Sequence, residues 1–227
     1  MIKIIPFKIF RIMGKVYFVT GTDTGVGKTY ITYWLSTFLK DRGLKVRCFK
    51  PIETGVSKIP EDAYLLSQAT GQPLEEVIVY KFKNPLSPYA ALMEEGGNID
   101  INIIKESIRK LSEDCDLLFV EGAGGIAVPI LKNYLYADLC KELELETIIV
   151  CRAGLGTINH TYLTWYFLKE KNIRIKAIIL NRFAGKDISE KTNALIIEQL
   201  TGVKVFKVEE SKNPPYDSFK LLIDHII

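Results

Sequence analysis

The chain has 227 residues, 48% of them hydrophobic and 25% charged, which suits one globular α/β domain with a sizeable core and weighs against two. With 30 basic and 27 acidic residues the net charge is only +3 and no long basic block stands out, which argues against a nucleic-acid-binding surface and for a small-molecule partner. The four cysteines, Cys48, Cys115, Cys140 and Cys151, form no CxxC pair and have only His160 and His225 to complement them, which argues against a zinc site.

Taken in chain order, the opening MIKIIPFKIFRIMGKVYFV is basic and apolar, but Pro6, Lys8 and Arg11 interrupt its apolar character and no small-residue cleavage site follows before the Val16 strand. Residues 1–12 therefore read as an N-terminal extension or arm ahead of a domain over 13–227, with Met1 and Met13 both open as start sites. Strands are predicted at Val16–Thr20, Lys45–Lys50, Asp116–Glu121, Glu146–Arg152, Ile175–Asn181 and Val203–Val208, with helical patterns between most of them. Gly27–Lys40 is predicted to be a helix with an apolar stripe of Tyr30, Trp34, Leu35, Phe38 and Leu39, stopped by the glycine of DRGLK. The runs DLLFVEG, ETIIVC and KAIILN are continuously apolar, as strands covered on both faces must be, so a parallel sheet between helices follows. Cys48 and Cys151 lie in such runs and read as buried free thiols of a reducing, cytoplasmic compartment. No apolar stretch reaches the ~20 residues that span a bilayer, so no membrane partner is expected.

Groups that act on ligands gather beyond the carboxyl ends of such strands. Here those ends read TGTDTGVGKT, KPIETG, EGAGG, CRAGLGTINH and LNRF. The first is a variant of the phosphate-binding loop GxxxxGK[ST], with five residues instead of four between Gly21 and Gly27. Its physical requirements survive: Gly25, Val26 and Gly27 let the backbone approach a polyphosphate, Lys28 adds a cation, and Thr29 and Tyr30 open the helix whose N–H groups face the anion. The Thr29 hydroxyl can ligate Mg²⁺, which also wants carboxylates. Glu121 ends a buried strand, where a lone carboxylate is costly, and is a candidate ligand. Asp62 opens a helix after the second strand; a first-turn acid favoured by the helix dipole and a metal ligand are equally open readings. Lys50 ends the second strand in FKPIETG, where it can neutralise charge on a transferring phosphoryl group; the alternative is a solvent-exposed strand-end lysine.

These residues fall in an ordered series, YFVTGTDTGVGKT, FKPIETG, NPLSPYAA, VEGAGGIAVPI and GTINHTYLT, through which the chain resembles the dethiobiotin synthetases from about Lys15 to Asn181. The resemblance implies a three-layer, P-loop NTPase-like α/β fold with a parallel sheet of about seven strands, a homodimer, and ATP with Mg²⁺. It implies carboxylation of 7,8-diaminononanoate by CO₂ (bicarbonate) to a carbamate, phosphorylation of that carbamate by ATP, and closure to the cyclic urea of dethiobiotin in biotin biosynthesis. By resemblance, Lys50 and Lys28 are catalytic, and Thr29, Asp62 and Glu121 hold the metal. Thr54 contacts the diamine or carbamate, the backbone of Gly122, Ala123, Gly124 and Gly125 lines the reacting centre, and the loop Pro85–Ala90 closes it. Gly156, Thr157 and Asn159 of the neighbouring subunit bind the substrate's carboxylate tail, and Asn181 reads the adenine edge. His160 has the lesser role of packing or interface. Lys50→Ala is expected to cut turnover with little change in folding.

Two departures bear on the nucleotide. Gly25 stands where the family often has a charged residue, and Val208 and Glu209 replace an Ile-Pro turn bordering the base, so base selectivity stays open. The runner-up reading is a regulatory ATPase of the partitioning type, which shares a variant phosphate loop. Such loops begin with an additional lysine where this chain has Gly21, Thr22 and Asp23, and the C-terminal DSFKLLIDHII is short and not basic. An amidoligase lacks its glutaminase domain here, and a simple small-molecule kinase gives no reason for EGAGG and GTINH together.

Overall fold

The computed structural model describes residues 14–209 and 211–227; the extension over 1–12 lies outside the described residues. In chain order the elements are β1 (Lys15–Gly21), α1 (Lys28–Asp41), β2 (Val46–Thr54), α2 (Glu61–Thr70), α3 (Leu74–Val77), β3 (Ile78–Phe82), α4 (Pro88–Glu95), α5 (Ile101–Glu113), β4 (Leu117–Gly125), β5 (Pro129–Leu131), β6 (Tyr134–Leu135), α6 (Tyr136–Glu142), β7 (Glu146–Arg152), α7 (Thr157–Glu170), β8 (Ile175–Phe183), α8 (Ile188–Thr201), β9 (Val205–Glu209) and α9 (Asp217–Ile226).

Seven of the strands form one sheet in the order β3-β2-β4-β1-β7-β8-β9, and every pair in it is parallel. The short β5 and β6 make a separate antiparallel hairpin. The central strands are apolar on both faces because helices cover both. In β4, Leu118 and Val120 point to one core while Leu117 and Phe119 point to the other. The first core is closed by Ile104 and Ile108 of α5, Leu139 of α6, Leu168 of α7 and Ile197 of α8. The second is closed by Ile31, Leu35 and Leu39 of α1, Leu66 of α2 and Phe219, Leu222 and Ile223 of α9. This is the three-layer, P-loop NTPase-like arrangement expected from the sequence.

The differences are local. β3, IVYKF, is absent from the strands read off the composition because it is a short edge strand with three of its five residues not fully buried. The strands β2, β4 and β8 run on to Thr54, Gly125 and Phe183, so polar and glycine residues extend them past the predicted stops. In α1 the fully buried stripe is Ile31, Leu35 and Leu39, whereas Tyr30 and Trp34 are only partly buried against the same core.

Candidate active site

β1 and its neighbours β4 and β7 bring their carboxyl ends to one edge, and the phosphate loop leaves β1 there. Gly27 is the N-cap of α1 at φ 93°, and a Cβ on it would stand 2.1 Å from Asn181 Nδ2, so only glycine fits. That closeness has a purpose: Asn181, at the end of β8 and 1% exposed, donates from Nδ2 to the carbonyl of Val26 at 2.9 Å and fixes the loop against the sheet. Its Oδ1 is buried without a protein partner.

Lys28 and Lys50 converge on this edge, 7% and 3% exposed respectively. The Lys28 ammonium lies over the start of the loop, 3.3 Å from where a Cβ on Gly21 would sit, and burial lowers its pKa from the ordinary value against the opposing pull of Glu121. Lys50 is not a solvent-exposed strand-end lysine: its Nζ is 2.7 Å from Asp62 Oδ2 and 2.7 Å from Glu121 Oε1. Burial alone would lower the Lys50 pKa, but the charges of Glu121 and Asp62 outweigh it and hold the ammonium above its ordinary value. The same Glu121 oxygen accepts from the Thr29 hydroxyl at 2.8 Å. For Asp62, burial raises the pKa and the Lys50 charge more than reverses it, leaving the carboxyl below its usual range. Thr29, Asp62 and Glu121, predicted from three separate stretches, are thus brought together through Lys50.

Lys28, Thr29, Lys50 and Asp62 line a cleft of about 500 Å³ together with Gly25, Thr54, Ala123 and Gly124 and the stretch Pro85, Leu86, Ser87 and Pro88, whereas Val26, Glu121 and Asn181 are buried and do not line it. Gly122 and Gly125 do not line the cleft: a side chain on Gly122 would meet the Phe18 ring at 2.8 Å and one on Gly125 the Gly21 carbonyl at 3.2 Å. Gly156, Thr157 and Asn159 do not line this cleft. They open α7, with Gly156 and Asn159 exposed and the Thr157 hydroxyl turned inward to Thr161 Oγ1 at 3.4 Å. His160 is likewise exposed on α7 and outside the cleft. Tyr30 also lies off the cleft, its hydroxyl donating to the Ser211 carbonyl at 2.8 Å.

Glu53 is a site residue the sequence reading passed over. Its Oε1 and Oε2 accept from the backbone N–H of Asp62 at 3.0 Å and Ala63 at 2.9 Å, so it satisfies first-turn amides of α2 and fixes Asp62 in that turn. Burial pushes its carboxyl above the ordinary range, partly offset by the Ala63 amide. The signal was present in PIETG, a strand-end carboxylate two residues before a glycine, but its partner amides are nine and ten residues away.

Oxygen donors of the kind magnesium takes meet here: Glu121 Oε2 is buried with no partner among the described residues, its Oε1 accepts from the Thr29 hydroxyl, and Asp62 shares the Lys50 ammonium with it.

Comparison with known proteins gives the family. A family model described as an AAA domain matches residues 15–209. The ATP-dependent dethiobiotin synthetase BioD of Aquifex aeolicus is 51% identical over 92% of this chain and 96% of its own length. That of Hydrogenobaculum sp. is 44% identical over 88% and 91%, and that of Bacillus subtilis 40% over 85% and 85%. Among solved structures, the Pyrococcus furiosus cell division ATPase MinD superposes with a TM-score of 0.59 over 94% of this chain and 98% of that one, at 17% identity, a likeness of fold. The hydrogenase maturation factor HypB from Archaeoglobus fulgidus gives 0.54 over 93% and 87%, also at 17%. With half of its residues shared over nearly the full length of a curated relative, the chain belongs to the ATP-dependent dethiobiotin synthetase family.

Proposed function

We propose that the protein is an ATP-dependent ligase of biotin biosynthesis that converts 7,8-diaminononanoate, CO₂ and ATP into dethiobiotin, ADP and phosphate. The observation that carries this reading is the buried Lys50 ammonium bridging Glu121 and Asp62 beside the phosphate loop. One substrate amine adds to CO₂ and releases a proton, giving a carbamate. A carbamate oxygen attacks the γ-phosphorus of ATP, the bond to the ADP oxygen breaks, and a carbamic-phosphoric anhydride forms. The second amine attacks its carbonyl carbon, loses a proton, and expels phosphate as the ring closes.

Both reactants of the middle step are anions, so the protein's task is to concentrate positive charge and fix geometry. Lys28 and the loop N–H groups hold the triphosphate, Lys50 and Thr54 orient the carbamate against it, and the wall from Pro85 to Pro88 limits water. Thr29, Asp62 and Glu121 would hold Mg²⁺, which when bound neutralises and orients the phosphate oxygens. Asn181 Oδ1 is free to accept from a base amine. Exposed Leu155, Tyr162, Leu163 and Tyr166 around the start and outer face of α7 support a homodimer in which Gly156, Thr157 and Asn159 reach the partner's substrate. Buried free cysteines fit a cytoplasmic enzyme, and among the described residues no helix is long and apolar enough to cross a membrane. The partitioning-type ATPase reading rests on fold alone and is not favoured.

Incubating the full chain with diaminononanoate, bicarbonate, Mg²⁺ and ATP should yield dethiobiotin and ADP in equal amounts. ATP hydrolysis that ignores the diamine contradicts the proposal.

A further inference from the structure

The chain puts a proline where α2 most needs an acceptor. Pro60 is the N-cap of that helix, and no side-chain bond from it reaches the first-turn amides. A serine, threonine, asparagine or aspartate there would accept from the N–H of the second or third helical residue, which are Asp62 and Ala63. Those are the two amides that Glu53 takes, its Oε1 3.0 Å from the Asp62 nitrogen and its Oε2 2.9 Å from that of Ala63. Glu53, 7% exposed, thus does from β2 what the N-cap residue does not do from its own position.

One strand therefore holds Asp62 twice. Glu53 takes its backbone N–H, and Lys50, earlier on β2, takes its carboxylate at 2.7 Å. Little else fixes where the helix begins. Ser57, Lys58 and Ile59 in the connection are exposed, while Ala63, Leu66 and Ala69 bury the apolar face of α2. Apolar burial is non-directional: it decides which face of the helix turns inward, and leaves the setting of the first turn to the directional bonds made there.

We infer that Glu53 is a positioning residue of the reaction, one that touches no reacting atom but holds the first turn of α2 so that the Asp62 carboxylate meets both Lys50 and the magnesium of the nucleotide. This rests on the reading of Asp62 as a magnesium ligand of the ATP site. Groups that orient a metal ligand from behind change metal affinity by about ten- to a hundredfold when removed.

The test is calorimetric titration of the full chain, well below its melting temperature, with a non-hydrolysable ATP analogue in Mg²⁺ and again in EDTA. In the wild type Mg²⁺ should tighten binding. Glu53→Ala should lose about tenfold or more of that gain while binding in EDTA stays within about twofold of the wild type, a split that a general loosening of the fold would not produce. Glu53→Gln keeps one carbonyl oxygen as an acceptor, so it should fall between the two and covers the case in which the alanine variant folds poorly. The double variant Glu53→Ala/Pro60→Ser returns an acceptor to the N-cap and should recover most of the magnesium gain. A gain within about twofold of the wild type in both single variants overturns the inference. So does a double variant that regains thermal stability but not the magnesium gain, since Glu53 would then act on the ligand directly, and so does wild-type binding that ignores Mg²⁺. No diamine is present, so a wild type that binds the analogue yet forms no dethiobiotin refutes the ligase reading while these titrations still decide the role of Glu53.

Discussion

At the residue scale, Lys50 ties chemistry to stability. FKPIETG marks it as the end of a strand but does not reveal that Glu121, seventy-one positions away, closes on it at 2.7 Å. Beside the expectation that Lys50→Ala leaves folding nearly unchanged stands a second one: removal takes the ion-pair partner from Glu121, 0% exposed, and leaves it the Thr29 hydroxyl. Breaking such a pair from one side costs about 3–5 kcal/mol. Lys50→Met should lower the melting temperature by roughly 10 °C and turnover by about a thousandfold. The double variant Lys50→Met/Glu121→Gln should regain most of the stability and none of the activity. Thermal melts and turnover of both variants check this; an unchanged melting temperature in Lys50→Met would show the bridge to be unimportant for folding.

At the element scale, the site depends on how helices begin. Glu53 caps α2 from β2 and so sets Asp62 in the first turn, while Asp138 does the same work for α6 beneath the EGAGG exit. Asp138 accepts from the Leu135 N–H at 2.8 Å and from Lys171 Nζ at 3.0 Å. Burial raises its pKa, but the Leu135 amide and Lys171 outweigh that, so the folded carboxyl sits below its ordinary value. The stabilisation is therefore present above the ordinary carboxylate pKa and is lost as pH falls through the lower folded value. Asp138→Asn should cost about 1 kcal/mol at neutral pH, and the gap to wild type should narrow below roughly pH 4. Denaturant titrations at pH 7 and pH 3 measure it; a gap that widens in acid contradicts the capping role.

The phosphate loop, α1 and the covered strands were legible because each is local: a glycine pattern, a period of three to four, an unbroken apolar run. β3 was not, since a half-exposed edge strand of five residues carries little pattern of its own. Glu53 and the Lys50 bridge were hidden for another reason. Glu53 takes its meaning from amides nine and ten residues on, across a loop, and the Lys50 bridge from Glu121 on β4, which the sheet order sets beside β2.

At the scale of the whole molecule, two cores on either side of one sheet leave the chemistry at its edge and the thiols inside. Cys48, Cys140 and Cys151 are buried, and burial pushes the Cys48 thiol up to about 12 and Cys151 up to about 11. Cys115, half-buried, is also raised by burial to about 11. In native protein at pH 8, a thiol-specific chromogenic reagent should label the four cysteines slowly, and all at once in denaturant. Rapid native labelling of Cys48 or Cys151 would contradict the packing of both cores.

The central claim is that the cleft holds a carbamate oxygen against the γ-phosphorus of ATP, and isotope transfer tests it most directly. With ¹⁸O-labelled CO₂ and diaminononanoate in ordinary water, assayed before the label exchanges with solvent, the phosphate released should carry one oxygen from CO₂ for each dethiobiotin formed. Phosphate free of label while dethiobiotin accumulates would mean that the carbamate is never phosphorylated, and that Lys28 and Lys50 hold the two anions for some other end.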